Sequence, residues 1–272
     1  MRLVNRRPDR SVAIFLAALP FVLVLLAYVA GSEARLAVNP QDKLLPGFAS
    51  FGDAISRMAF EADKRTGDIL LWKDTVASLT RLLIALGCAT AASLVLGILT
   101  GLIPYVRATL APFIAIVSMV PPLAVLPILF ILLGLGEASK IVLIAVGVAP
   151  FMIRDLALKV EEMPAQQIIK AQTLGASTWL IVLRVVMPQM LPRLIDALRL
   201  SIGPAFLFLI AAEAIAAESG LGYRIFLVRR YLAMDVILPY VAWITLLAFA
   251  MDWLLKRLQA GAFPWFAQAR AS

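Results

Sequence analysis

The chain has 272 residues, of which 62% are hydrophobic and 15% are charged, and its mean hydropathy is +0.93. In a soluble domain about a quarter of the residues are charged. The lower charged fraction of this chain excludes a soluble domain and predicts a helical integral membrane protein. The absence of histidine excludes the usual zinc sites and the Ser-His-Asp and Cys-His nucleophile systems. For the same reason we expect no metal. The net charge of +8 fits basic flanks around apolar spans, so we expect no nucleic-acid partner.

The N-terminal part of the chain contains one predicted membrane span and one predicted surface helix. A basic start precedes an uncharged run at 12–30, which is long enough to cross about 30 Å of hydrocarbon. The alternative, a cleaved signal peptide, is disfavoured by the length of this run. Apolar residues then recur at helical spacing over residues 48–62. This pattern predicts an amphipathic helix lying on the membrane surface or on the helix bundle.

Five further spans complete a predicted set of six. They lie at about 76–103, 108–133, 139–160, 194–217 and 236–256. The third span, at 108–133, contains the adjacent prolines Pro121 and Pro122, and interior prolines bend helices by removing backbone hydrogen bonds. A membrane protein tolerates such a bend where neighbours or water satisfy the freed groups. We interpret it as a bend beside a water-accessible pathway, with a packing kink as the alternative, and take both prolines as candidate pathway or gate residues.

A polar helix–break–helix segment, 164–188, separates the fourth span from the fifth. Pro164 suits the first turn of a helix, where its missing N–H costs nothing. Gly175 can take the left-handed conformation that ends this helix, and Ser177 can cap the next. A helix over 165–174 is too short to be stable alone in water. It therefore needs a partner, which is either another subunit or the chain's own helix bundle.

The same segment resembles the cytoplasmic signature of ABC importer permeases, Glu-Ala-Ala-x3-Gly-x9-Ile-x-Leu-Pro. The residues on the second alanine, the glycine, the isoleucine and the proline are Ala171, Gly175, Val185 and Pro188. The residues that replace the glutamate, the first alanine and the leucine are Ile169, Lys170 and Met187. These departures leave the helix–glycine–helix geometry intact, whereas any polar contact of the missing glutamate is lost.

Three stretches are similar to the nitrate/sulfonate/taurine branch of these permeases: SMVPPLAVLPILFILLGLGEASK, KAQTLGAS and AAEAIAAESGLGYRI. The resemblance covers about residues 74–258. It implies an all-α integral membrane protein of type I ABC importer permease architecture, with six transmembrane helices and a cytoplasmic coupling helix at 164–175. The implied domains are an N-terminal part with tail, first span and outer connector (1–75), a five-helix permease core (76–258) and a cytoplasmic tail (259–272).

The resemblance also implies partners and a function. A homodimer with a second permease copy is expected to sit in the bacterial inner membrane. Six spans put both termini on one side, and the basic N-terminus indicates that this side is the cytoplasm. Two ABC ATPase subunits would bind ATP, an external solute-binding protein would deliver the solute, and this chain would be neither an enzyme nor a cofactor protein. The expected solute is small and polar: nitrate-, sulfonate- or taurine-like, or urea-, guanidine- or pyrimidine-like. A secondary transporter not driven by ATP is the alternative.

The candidate site residues form two sets. The residues expected to contact the ATPase are Ile169, Lys170, Ala171, Gln172, Leu174, Gly175 and Ala176. The second set contains Glu213, whose carboxylate inside the fifth span should face the bundle or a water-filled cavity. Three interpretations of Glu213 stay open: contact with solute or a gate, an ion pair with Arg224 or another outer basic residue, or a position at the wet membrane edge. Gly220 and Gly222 are expected hinges of an outer gate or docking surface, with an ordinary loop as the alternative.

Overall fold

The computed structural model describes residues 8–40, 42–64 and 66–266, and the regular elements in these ranges are all helices. They are α1 (Arg10–Val38), α2 (Phe48–Ala59), α3 (Leu70–Leu102), α4 (Pro104–Val117), α5 (Pro122–Leu133), α6 (Glu137–Glu161), α7 (Ala165–Thr173), α8 (Thr178–Ile181), a π-helix (Val182–Val186), α9 (Met187–Ala216), α10 (Leu221–Arg229) and α11 (Met234–Ala262). The ends of the two predicted tails, 1–7 and 267–272, lie outside the described residues.

Among the described residues, five helices are long and apolar enough to cross a membrane. They are α1, α3, α6, the continuous stretch Thr178–Ala216 and α11. The pair α4 and α5, bent by 95°, provides a sixth crossing if it counts as one span. The predicted all-α membrane fold is therefore confirmed. The predicted bend of the third span is a complete break, because Pro122 disfavours helical dihedrals at Pro121, whose ψ is 117°.

The chain divides into two compact units. The first comprises Met1–Ile69 and Val228–Tyr240, and the second comprises Leu70–Leu227 and Val241–Ser272. In the first unit, the ring of Tyr28 on α1 packs against Phe48 and Phe51 of α2, and its hydroxyl donates to the carbonyl of Pro46 at 2.6 Å. The amphipathic helix predicted over 48–62 is confirmed as α2, which ends at Ala59.

In the second unit, two glycines allow α3 to approach α6 closely. A Cβ atom at Gly101 would lie 2.5 Å from the Cβ of Val160 and 2.7 Å from the carbonyl oxygen of Ala157. One at Gly97 would lie 2.9 Å from the Cβ of Leu156. Small residues four apart bring helices together in membranes, where packing contacts replace the hydrophobic driving force. The packing of α3 against α6 therefore depends on the missing side chains of these glycines.

The π-helix interrupts the stretch from α8 to α9 immediately before a proline. The N–H of Met187 donates to the carbonyl of Val182, five residues earlier, and Pro188 follows. A proline ring clashes with the carbonyl four residues before it, here that of Arg184, when the helix is regular. The wider π turn relieves this clash, so the helix continues into α9.

We expect Gly101→Val to destabilise the protein by about 1–3 kcal/mol, the usual cost of overpacking a close contact. The measurement is thermal unfolding of the purified chain in detergent. Gly87→Val is the matched control, since Gly87 lies on α3 with no atom within 4 Å of its would-be Cβ. Equal effects of the two substitutions would contradict the role assigned to the close α3–α6 contact.

Candidate functional site

The polar segment between α6 and α8 adopts the predicted helix–break–helix conformation. α7 ends at Thr173, and Gly175 has φ +79°. The N–H of Ala176 donates to the carbonyl of Ala171 at 3.0 Å, and that of Gly175 donates to the carbonyl of Gln172 at 2.9 Å. These two bonds are a Schellman motif, which requires a left-handed residue where Gly175 stands. The predicted glycine stop is therefore confirmed.

The following helix begins as predicted, because the Oγ of Ser177 accepts a hydrogen bond from the N–H of Leu180 at 3.3 Å. α7 itself buries none of its residues. A side-chain hydrogen bond of 2.9 Å, from the amide of Gln189 to that of Gln167, ties it to α9. The docking of α7 on its own bundle, one of the two partners considered, thus amounts to little contact in this chain.

The exposed surface of α7 and the turn after it carries apolar side chains. Ile169 is 55% exposed and Leu174 is 79% exposed, and both lie among the seven residues predicted to contact the ATPase. Lys170, Gln172 and Gly175 are also exposed, while Ala171 and Ala176, the remaining two, are half-buried. An exposed apolar surface on an otherwise polar helix is typical of a partner contact.

At the end of the second unit opposite α7, Glu213 is fully buried in α9. Its carboxylate accepts hydrogen bonds from Ser78 Oγ at 2.7 Å, Arg81 Nη1 at 2.6 Å and the N–H of Gly222 at 2.8 Å. Glu213 therefore faces the bundle and not the wet membrane edge. The ion-pair interpretation considered Arg224 or another outer basic residue, and the basic partner in the structure is Arg81 and not Arg224. Contact with solute stays a prediction.

A stripe of polar residues on α3 also holds the turn between α9 and α10. Asp74, Ser78 and Arg81 lie on one face of α3 because they are four and three residues apart. The bonds to the turn join Asp74 Oδ1 to the N–H of Gly220 (3.0 Å), Ser78 Oγ to the N–H of Leu221 (2.8 Å) and Arg81 Nη1 to the carbonyl of Ser219 (2.8 Å). Arg224 donates from Nε to Asp74 Oδ2 at 2.8 Å.

The two glycines of this region are needed for space around Glu213. Gly220 has φ +134°, and a Cβ atom there would lie 2.5 Å from the Cδ of Glu213. A Cβ atom at Gly222 would lie 2.7 Å from the carbonyl oxygen of Ile210. The structure thus brings three predicted pathway residues together, although close packing explains both glycines without a hinge. Their gate role stays a prediction.

The other two candidate pathway residues, Pro121 and Pro122, lie elsewhere, at the break between α4 and α5. The break lies before the first residue of α5, whereas Glu137, the first residue of α6, follows the last residue of α5. We call the buried polar groups Asp74, Ser78, Arg81 and Glu213 the Glu213 cluster. The structure does not bring these prolines into it. A shallow groove of about 230 Å³ between α3, α4 and α6 is lined by Thr100, Arg154 and Glu161 among others, and neither proline lines it.

Arg81 extends the cluster from Glu213 to the start of α6. Its Nε and Nη2 both donate to the carboxylate of Glu137, the second of these at 2.9 Å, and Lys140 Nζ lies 2.9 Å from the same carboxylate. Two basic and two acidic side chains are therefore linked in one network. Arg81 was not among the predicted site residues. The signal that identifies it is its helical spacing from Asp74 and Ser78.

We expect Glu213→Gln to lower the stability of the purified chain by about 3 kcal/mol, since it removes one charge of a buried ion pair. The measurement is thermal unfolding in detergent, with Glu218→Gln, an exposed acid of the same turn, as the control. An unchanged unfolding midpoint would contradict the structural role of Glu213. Uptake per folded molecule tests the pathway role separately.

Comparison with known proteins gives a family. A family model described as the inner membrane component of binding-protein-dependent transport systems matches residues 93–263. The taurine transport system permease protein TauC of Escherichia coli (strain K12) is 39% identical over 204 residues, which cover 75% of this chain and 74% of TauC. A putative aliphatic sulfonates transport permease protein, SsuC, of Bacillus subtilis (strain 168) is 32% identical over 138 residues, 51% of this chain and 50% of that protein.

Two further similarities agree. A probable ABC transporter permease protein of Brucella melitensis biotype 1 is 32% identical over 194 residues, 71% of this chain and 78% of its own. A chain in a structure of the MetNI methionine ABC transporter, described as inward facing, matches with a TM-score of 0.64 and 21% identity. That match covers 71% of this chain and 95% of the other, and it shows the fold. The chain belongs to the family of inner membrane components of binding-protein-dependent transport systems, the permeases of ABC importers.

Proposed function

We propose that this chain forms the membrane pathway of an ATP-driven importer for taurine-type sulfonates and that α7 couples it to a separate ATPase. Family membership supports the permease role. The relatives named for taurine and for aliphatic sulfonates support the solute class. The observation that carries the coupling role is α7 itself, a capped helix that leaves the membrane bundle without burying any of its residues.

The contact with the ATPase is proposed to be mainly apolar. Ile169 stands where the family signature has a glutamate, and it is exposed together with Leu174. A cleft on the ATPase that covers both side chains would stabilise the seat of α7, because a buried apolar side chain contributes about 1.5–3 kcal/mol. Lys170 and Gln172 would lie at the polar rim. Ion pairing through the missing glutamate is not available to this chain.

α9 offers a direct mechanical path from α7 to the buried cluster. The continuous stretch Thr178–Ala216 follows the Gly175 turn and contains Glu213 near its far end. At 1.5 Å per residue, such a stretch spans about 55–60 Å. A displacement of α7 by the ATPase would therefore be transmitted along one helix to the opposite side of the membrane. An exposed hydrogen bond between Gln167 and Gln189 links α7 to this stretch near the start of α9.

The proposed assembly contains two copies of this chain, two ATPase subunits and an external solute-binding protein, within the bacterial inner membrane. ATP is bound by the ATPase, so this chain is non-catalytic and holds no cofactor. The termini and α7 lie on the cytoplasmic side, and the Glu213 cluster lies on the outer side. The Glu213 cluster then closes the outer end of the bundle, while α7 moves with the conformational change of the ATPase.

We expect the purified chain in liposomes to show no ATP hydrolysis and no uptake of taurine by itself. With the ATPase subunits and the binding protein, taurine uptake should appear and depend on ATP. Mass measurement of the complex should give two permease and two ATPase copies. Uptake by the chain without an ATPase would instead support a secondary transporter.

We expect Gly175→Val to separate ATP hydrolysis from uptake. A β-branched residue resists positive φ, and strain of about 1–3 kcal/mol would fall on a helix with little stability of its own. Taurine uptake should fall about tenfold while ATP hydrolysis continues. Gly175→Asn is the matched control, because asparagine tolerates the left-handed conformation. Lys170→Ala should be milder, and full coupling in Gly175→Val would mean that the α7 turn is a passive connector.

A further inference from the structure

Two buried cations of the Glu213 cluster face one exposed carboxylate. The side chains of Arg81 and Lys140 are 6% and 4% exposed, whereas that of Glu137 is 57% exposed. Glu137 therefore lies at the mouth of the cluster, with both cations behind it. Buried cations in a membrane protein need a counter-ion. Here the outermost counter-ion is the one whose side chain is more than half exposed in this chain.

The hydrogen bonds at this mouth are uneven. Three donors, Arg81 Nε, Arg81 Nη2 and Lys140 Nζ, converge on the two carboxylate oxygens of Glu137, so Oε1 accepts two of them. Among the described residues, Lys140 Nζ makes no other hydrogen bond, although an ammonium has three N–H groups. A sulfonate head has three oxygens, which would give each of the three donors an acceptor of its own.

The start of α6 adds positive potential at the same place. Its N-cap residue is Gly136, which has no side chain to accept a hydrogen bond from the first turn. Glu137 is the first helical residue. The free N–H groups of a helix start carry about half a positive charge, which favours an anion. The helix start and the two cations thus both favour an anion at this position.

Arg81 is held in orientation from the other side. Its Nη1 donates to Glu213 Oε1 at 2.6 Å and to the carbonyl of Ser219 at 2.8 Å. These bonds leave Nε and Nη2 directed at the mouth. Exchange of Glu137 for another anion would therefore require little rearrangement of the guanidinium, which favours binding because the donors are pre-organised.

We propose that Arg81 and Lys140 form a binding site for the sulfonate head of the solute, and that Glu137 occupies this site in the absence of solute. The sulfonate class rests on the proposed function. When the sulfonate takes the three donors, the displaced Glu137 carboxylate lies beside the bound solute. It can then accept a hydrogen bond from the ammonium of an amino-sulfonate, so the site fits both charges of a taurine-type zwitterion.

The test uses the full chain in detergent and the variant Glu137→Gln, whose neutral amide competes less for the two cations. The unfolding midpoint is measured with taurine or methanesulfonate against chloride at equal ionic strength. We expect Glu137→Gln to lower the midpoint without sulfonate and either sulfonate to restore it. The apparent affinity for sulfonate should rise about tenfold over the unsubstituted chain, because the internal competitor is weakened.

Two further variants and one lipid decide the assignment. Asp252→Asn weakens another Arg–carboxylate pair between helices, that of Arg199 and Asp252 at 2.8 Å, and should show no recovery with sulfonate. Glu137→Gln/Lys140→Met should lose the recovery. Absence of recovery in Glu137→Gln, or equal recovery in Asp252→Asn, would overturn the proposal. Recovery with phosphatidylglycerol but not with sulfonate would assign the site to a lipid headgroup instead. This experiment does not measure transport. A negative result would therefore overturn the sulfonate site and leave the proposal of ATP-driven uptake to be tested separately.

Discussion

The fold of the second unit depends on how a buried negative charge is compensated. Glu213 is fully enclosed, and a carboxylate in such a place is tolerated only with a cation and hydrogen-bond donors around it. Arg81, Ser78 and the N–H of Gly222 supply them. Since these groups come from α3 and from the segment after α9, the charge fixes how those elements meet. Gly220 has no room for a side chain because the carboxylate occupies that space, and Gly222 has none because the backbone of Ile210 does.

The two ends of the second unit are built differently. The α7 end has a short helix held by backbone caps, with apolar side chains left exposed. The opposite end has a network of buried charges whose partners lie far apart in the sequence. The first arrangement suits a surface that another subunit must hold. The second suits a rigid closure, and a single helix, α9, connects them.

Local signals were sufficient for much of the fold. Pro164, Gly175 and Ser177 each act within a few residues, so the limits of α7 and the start of α8 follow from the sequence. The apolar runs likewise predict the spans. The ion pairs follow only in part: the helical spacing of Asp74, Ser78 and Arg81 marks a polar face of α3, but no local pattern shows that Glu213, on another helix, lies beside it. For the third span, proline predicted a bend, but its angle depends on how α4 and α5 pack.

The π-helix at Val182–Val186 gives the spacing of the signature a geometric meaning. A π turn holds one residue more than an α turn, and each residue of an α-helix advances the chain by about 100° around its axis. The segment between Gly175 and Pro188 therefore sets the direction in which α7 leaves the axis of α9. Because the extra residue is held within a single turn, a chain one residue shorter with a regular helix would still present α7 to nearly the same side of the bundle. The π turn thus absorbs one residue of the signature spacing without redirecting α7, whereas loss of a residue with the π turn retained would rotate α7 by about 100° around the axis of α9.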